Sequence, residues 1–330
     1  MHIIRYVTPS SLVVPLGVNI DTLIIISLYT IFHPIPIWIF TLFDHSWRTY
    51  ASLITSFWII RAFNLSYKAT SRSLPTNSAK SVFITGGSNG LGYEIVKQLC
   101  LEDDVSRIIV VDLVGRVEFK VMEKVMFIPC NLEEGIEKII SNTKINLKDV
   151  DVLICNAGVR QHNPLSGLYM SDMERIINAN WISHTKLIKQ YIDAIEHTEN
   201  DRRLGRRHIM VVGSVLGYVG PKGLGIYAST KAAMAVLMEA LRAELPQQFV
   251  ISTILPGQLN SQMFADVTVN EFLAPVVDIQ LLSGRIVEII RDGLNGTFAY
   301  PVYGRFLSVY RVMPWFLQRF CRWLSNMDNV

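Results

Sequence analysis

Tyr227 and Lys231 are the pair in this 330-residue chain whose types and spacing point most directly to chemistry. Four residues apart in a helical stretch, the phenol and the ammonium share one helix face. An isolated phenol has a pKa of about 10, and a neighbouring cation makes it ionise more readily, so the pair forms a proton donor and acceptor suited to neutral pH. Ser214 precedes Tyr227 by 13 residues and follows the apolar run 208–212. At the carboxyl end of that predicted strand its hydroxyl is placed to donate to a substrate oxygen and hold it against the phenol. Such a set serves only the proton of an alcohol–ketone interconversion. The accompanying hydride needs a separate carrier.

The carrier site is announced upstream. The apolar run 81–84 passes into Thr85-Gly86-Gly87-Ser88-Asn89-Gly90-Leu91-Gly92 and then into a helical pattern over 93–101. Strand, glycine turn and helix in that order suit a dinucleotide: the glycines let backbone approach a pyrophosphate, and the helix start offers free amides. Gly86, Ser88, Asn89, Gly90, Leu91 and Gly92 are therefore candidate cofactor contacts. A second apolar strand, 107–111, ends at Asp112, 26 residues after Gly86. A carboxylate there accepts from ribose hydroxyls and repels a 2′-phosphate, which favours NAD over NADP. The glycine loop holds no arginine, and Arg116 reaches it only if the intervening loop folds back. Apolar runs recur at 125–128, 150–153, 208–212 and 250–255, separated by helix-like stretches. The expected fold is α/β, a Rossmann-type doubly wound parallel sheet, preceded by an N-terminal hydrophobic, membrane-associated helical segment.

On these motifs the chain, from about residue 81 to the mid 290s, resembles the classical short-chain dehydrogenase/reductase family. Thr85, Gly86, Gly90 and Gly92 match its Thr-Gly-x-x-x-Gly-x-Gly pattern, and Tyr227 to Lys231 supply Tyr-x-x-x-Lys. The resemblance implies that Asn156, Ala157 and Gly158 close the adenine side of the cleft, with Cys155 replacing the usual first Asn. It further implies that Asn131 and Leu132 contact adenine and that Asn180, inside a helical stretch over 173–195, is the proton-relay residue. Pro256 and Gly257, with Ser261 where a Thr is usual, would receive the nicotinamide amide. Tyr227 and Lys231 then touch the cofactor as well as the substrate. Residues 258–280 would form the substrate lid, with Met263, Phe264, Phe272, Leu273, Val276 and Val277 making its pocket apolar.

Elsewhere the chain is greasy. Apolar residues make up 50% and charged ones 18%, and the formal charge of +3 is too small to argue for nucleic acid. Residues 22–43 carry no formal charge over a length that suits a bilayer span, although His33, Pro34 and Pro36 favour a bent span or an in-plane hairpin. A shorter apolar stretch covers 50–60. A cleaved signal peptide is the competing reading, opposed by the late start and the lack of a small-residue cleavage site. Arg61, Lys68, Arg72 and Lys80 downstream place the enzyme on the cytosolic side. We divide the chain into an anchoring segment and linker, 1–75, and a dehydrogenase domain, 76–330. That domain ends in an aromatic, arginine-bearing amphipathic tail over about 298–326, suited to a membrane interface. Cys100, Cys130, Cys155 and Cys321 are too dispersed for a disulfide framework or a zinc site.

The arrangement resembles the membrane-bound retinol and hydroxysteroid dehydrogenases of the family. It implies a membrane-attached oxidoreductase that moves a hydride between NAD(H) and a hydrophobic alcohol or ketone, at the endoplasmic reticulum or a lipid droplet. A homodimer through the helices beginning near Met170 and Tyr227 fits the family. The alternatives are an NADPH-dependent 3-ketoacyl or sphingoid ketone reductase and a catalytically silent lipid-binding scaffold. The intact Ser214, Tyr227 and Lys231 oppose the scaffold.

Overall fold

The computed structural model describes residues 52, 54–60, 80–134, 145–196, 206–267 and 270–328. The apolar segment 22–43, the linker and the boundary near residue 75 lie outside them; of the second stretch, 54–60 are helical. Among the described residues no helix is long and apolar enough to cross a membrane.

Seven parallel strands run β1 Lys80–Thr85, β2 Val105–Asp112, β3 Val125–Pro129, β4 Val152–Cys155, β5 Arg207–Val212, β6 Phe249–Pro256 and β7 Gly296–Tyr300. Their spatial order is β3-β2-β1-β4-β5-β6-β7. The near-continuous apolar runs are explained by burial on both faces. In β1, Val82 and Ile84 enter the core on one side and Phe83 the other; in β2, Ile108 and Val110 oppose Ile109 and Val111 in the same way. Helices α1 Gly90–Cys100 and α5 Ile279–Arg291 cover the first side. Helices α3 Ser183–Glu196 and α4 Gly225–Glu244 cover the second. The strand order reverses between β1 and β4, and the crevice outside their carboxyl ends is where such folds bind ligands.

Four expectations need correction. The helix expected over residues 173–195 is α2 Met170–Ile177 and α3, joined by the π-helical turn Asn178–Ile182. The run at 150–153 begins its strand only at Val152, because the Val150 carbonyl accepts from the Tyr191 hydroxyl (2.8 Å) and Arg207 Nη1 (3.0 Å). The predicted tail begins inside the sheet: residues 298–300 belong to β7, whose Phe298 and Tyr300 pack against the core. Finally, Val277 is a core residue bridged to Leu259 and does not line a pocket.

Candidate active site

The glycine turn is shaped by what it must not carry. Gly86 has φ +67°, and a Cβ on it would come within 2.6 Å of Ala157 Cα; one on Gly92 would come within 2.0 Å of the Gly86 carbonyl oxygen. Gly90, at φ +52°, starts α1, whose first turn holds no acidic residue and whose cap Asn89 makes no side-chain hydrogen bond to the helix amides. These amides face a cleft of about 1170 Å³, lined at this end by Gly86, Asn89, Gly90, Leu91, Gly92, Asp112, Asn131 and Leu132. That volume exceeds the roughly 300–1000 Å³ of a site for one drug-sized ligand, leaving room for a dinucleotide and a substrate. The cradle fits a nicotinamide dinucleotide.

Ser88 supports the loop from outside the cleft: its N–H donates to Asp112 Oδ2 (2.9 Å), while Oδ1 of the same carboxylate accepts from Leu113 N (2.8 Å). Arg116 does fold back. Its Nη1 donates to the Ser88 carbonyl (3.0 Å), and the guanidinium lies 4.0 Å from the Tyr93 ring centroid. Asn131 Oδ1 accepts from Glu133 N (3.1 Å), capping the turn that contains Leu132.

The register of β1 with β4 sets Thr85 beside Cys155, so the Asn156-Ala157-Gly158 loop leaves the sheet against the glycine turn. Asn156 Nδ2 donates to the Gly86 carbonyl (2.9 Å), and the amides of Asn156 (3.1 Å) and Ala157 (3.2 Å) donate to Thr85 Oγ1. The Thr85 hydroxyl proton therefore goes to His184 Nε2 (2.9 Å), which fixes the neutral tautomer whose Nδ1–H donates to the Asn180 carbonyl (3.2 Å). Burial, reinforced by Lys231, pushes the His184 pKa down to about 4, in keeping with a neutral ring. The Asn180 side chain is locked as well: Oδ1 accepts from Val159 N (2.7 Å), and Nδ2 donates to Val159 O (2.8 Å) and Thr230 Oγ1 (3.2 Å). The Asn180 side-chain amide is thus fully committed, and its backbone carbonyl meets His184. From the π-turn that residue reaches both the loop after β4 and helix α4.

Tyr227, Lys231 and Ser214 meet at the centre of the cleft. Ser214 Oγ accepts from Leu216 N (3.1 Å), which leaves its O–H to donate into the site. Lys231 Nζ donates to the Val212 carbonyl (3.0 Å) and stands 5.7 Å from the Tyr227 ring centroid. Burial pulls the Lys231 pKa down to about 8. Burial also pushes the Tyr227 phenol up to about 12, against the hydrogen bond with Ser214 and the charge of Arg160. Beside Lys231, the Arg160 guanidinium brings a second positive charge that favours the ionised phenol. Pro256 and Gly257 close the far wall, with Ser261 beyond them.

Residue types and spacing did not reveal Arg160, Gln161 or His184 as parts of the site. Gln161 Oε1 accepts from the amides of Ile226 (2.7 Å) and Tyr227 (3.2 Å), fastening the start of α4 to the loop after Gly158. The four-residue interval from Asn180 to His184 was a readable signal for one of these contacts, being one helical turn.

At its other end the cleft is walled by Met263, Phe264 and Leu273 of the lid and by Met313, Cys321 and Leu324 of the terminal segment. Among the described residues its charged lining is Glu94, Asp112, Arg116 and Glu133 at the dinucleotide end and Lys231 at the centre. The terminal segment is helix α6 Trp315–Ser325 after a short helical turn. Arg311 donates to the carbonyls of Tyr218 and Gly217 (both 2.8 Å), and Arg322 pairs with Asp328 and reaches Gly220 O (3.2 Å). Arg311 and Arg322 thus hold the tail on the domain.

Comparison with known proteins agrees with this geometry. Residues 80–271, more than half of the chain, match the model of the short chain dehydrogenase family. An uncharacterized oxidoreductase of Saccharomyces cerevisiae, TDA5, is 29% identical over 84% of this chain and 86% of its own. Retinol dehydrogenase 8 of Bos taurus is 29% identical over 63% of this chain and 68% of its own. A short chain dehydrogenase from Burkholderia cenocepacia, solved with NADP, superposes with a TM-score of 0.57 at 18% identity, covering 71% of this chain and 94% of its own. The glycine cradle and the buried Ser214, Tyr227 and Lys231 thus coincide with the family match, and the chain belongs to the short-chain dehydrogenase/reductase family of NAD(P)-dependent oxidoreductases, with retinol dehydrogenases among its relatives.

Proposed function

We propose that the protein is a membrane-attached dehydrogenase that exchanges a hydride between NAD(H) and an uncharged, apolar alcohol or ketone of retinoid, steroid or similar lipid type. The observation that carries this reading is the lining beyond Tyr227, with Met263, Phe264, Leu273, Met313 and Leu324, where the described residues bring no charged side chain to the cleft wall. A bound nicotinamide would supply or take the hydride. In the oxidising direction Ser214 donates to the substrate oxygen, and ionised Tyr227 takes the hydroxyl proton as the carbonyl forms. The ammonium of Lys231 and the carbonyl of Asn180 define the route by which that proton leaves.

Asp112 supports NAD, because its carboxylate lies where a 2′-phosphate would crowd it. Arg116 favours the second reading, a reductase using NADPH, since its guanidinium sits on the glycine loop where that phosphate would come. Purified protein should reduce NAD with at least one apolar alcohol from a panel of retinol, sterols, steroids and long-chain alcohols, read by nicotinamide absorbance. It should bind NAD about tenfold more tightly than NADP, a difference of about 1.4 kcal/mol. Silence across the panel removes the substrate class, and tighter NADP binding replaces the cofactor assignment.

Attachment to a bilayer is part of the same reading. Trp315, Phe316, Phe320 and Trp323, 53–74% exposed, form the outer face of α6, while Cys321 and Leu324 on its inner face wall the cleft. A lipid interface against that outer face would deliver substrate at the chamber. We assign the enzyme to the cytosolic side of the endoplasmic reticulum or a lipid droplet, as a homodimer through α2 and α4. Removing residues 296–330 would strip β7 from the sheet, so point substitutions are the cleaner test. Replacing Trp315, Phe316 and Trp323 together by Ser in the full chain should lower its recovery with floated vesicles at unchanged turnover of a short soluble alcohol. Undiminished flotation removes α6 as a contact.

A further inference from the structure

Arg160 is a buried cation with an unusual set of neighbours. Its side chain is 6% exposed, yet its carboxylate partner Asp266, on the lid, is 67% exposed. Both Asp266 oxygens accept from Arg160 Nη2, one at 2.5 Å, whereas Arg160 Nε is buried without a partner. The guanidinium carbon lies 5.0 Å from the Phe264 ring centroid, and Phe264 meets the Tyr227 ring edge-on at 5.8 Å. The next residue, Gln161, accepts the amide of Tyr227 itself. Arg160 is therefore tied on one side to the catalytic residue and on the other to the lid.

We propose that Arg160 is a positioning residue that adjusts the acidity of Tyr227, and that the lid controls its strength through Asp266. With the lid seated, Asp266 offsets part of the guanidinium charge. With the lid lifted, Asp266 and Phe264 depart together and the unpaired guanidinium remains on the loop after β4, near the phenol. Lid position and proton affinity are then coupled, so that the base holds its proton most firmly only when the chamber is closed. The charge of Arg160 indeed favours the ionised phenol.

The groups facing Tyr227 are Lys231 from α4, Ser214 from the end of β5, Arg160 from the loop after β4, and the lid's Phe264. Asp266 acts through Arg160 and has His162 nearby, while Cys155 on β4 and His184 on α3 act on Lys231. Among these, Arg160 and Asp266 form a pair of opposite charge in which either partner can be removed alone.

The proposal rests on Tyr227 being the proton acceptor, and the test separates the two. The pH profile of kcat for alcohol oxidation rises as the phenol ionises. Arg160→Met removes a cation, so the profile should move to higher pH, by about half a unit or more. Asp266→Asn removes the neutralising anion, so the profile should move to lower pH although the same ion pair is broken. Arg160→Lys keeps the charge and should remain within about 0.2 unit of the unaltered protein. A merely structural latch would move both broken variants the same way or not at all, and that result overturns the proposal. Should Asp266→Asn fail to fold, the Arg160→Met and Arg160→Lys pair decides alone: equal profiles overturn it. If Tyr227→Phe retains turnover, the reading of Tyr227 fails first, whatever the arginine variants do.

Discussion

Tyr227→Phe is expected to lower turnover about a thousandfold while leaving dinucleotide affinity within about twofold, a loss typical of a missing general acid or base. The substitution keeps the ring, which is buried and packed edge-on against Phe264, and removes only the hydroxyl that meets Ser214. Fold and cofactor cradle should persist, because neither the glycine turn nor the Asn156-Ala157-Gly158 loop leans on that oxygen. Steady-state turnover measured beside NAD binding tests both halves. Turnover above about a tenth of the unaltered rate would transfer the proton role to another group.

Lys231→Met should separate stability from function. The ammonium is buried, and its pKa is pulled from 10.5 down to about 8, so holding it charged in the fold costs about 3 kcal/mol. The sign follows from proton binding. Between pH 8 and 10.5 the unfolded chain holds a proton that the folded chain has released, so stability rises across that window; below pH 8 both states are protonated and the full cost applies. Methionine removes the charge and fills similar space, losing only the hydrogen bond to the Val212 carbonyl, at about 1–3 kcal/mol. The variant should therefore melt no lower than the unaltered protein at pH 7, while turnover falls at least about a hundredfold and NAD binds more weakly. A lower melting temperature with turnover intact would make Lys231 a structural residue. The same trade of stability against chemistry is common where a site needs a group the core would reject.

Much of the frame was legible because it is written in local pattern. Strands buried on both faces must be apolar at every position, and six of the seven stand out as such runs; β7 escaped because Gly296, Thr297 and Tyr300 dilute it and aromatic residues follow at once. The glycine turn was legible because its backbone conformations and close approaches admit no Cβ. The break at Asn178–Ile182 was not, since a π-turn has the same residue types as the helix around it.

The chain alone determined the order of the first six strands, the dinucleotide cradle and the grouping of Ser214, Tyr227 and Lys231, because residue type at short spacing carries each of them. Only the tertiary structure decided which charges these residues feel. Thr85 meets His184 across 99 positions, Arg160 meets Asp266 across 106, and Arg116 reaches Ser88 only through the fold of its loop. Such pairings depend on sheet order and loop closure, and burial sets their strength by removing the water that would screen them. Neither leaves a mark in neighbouring residues.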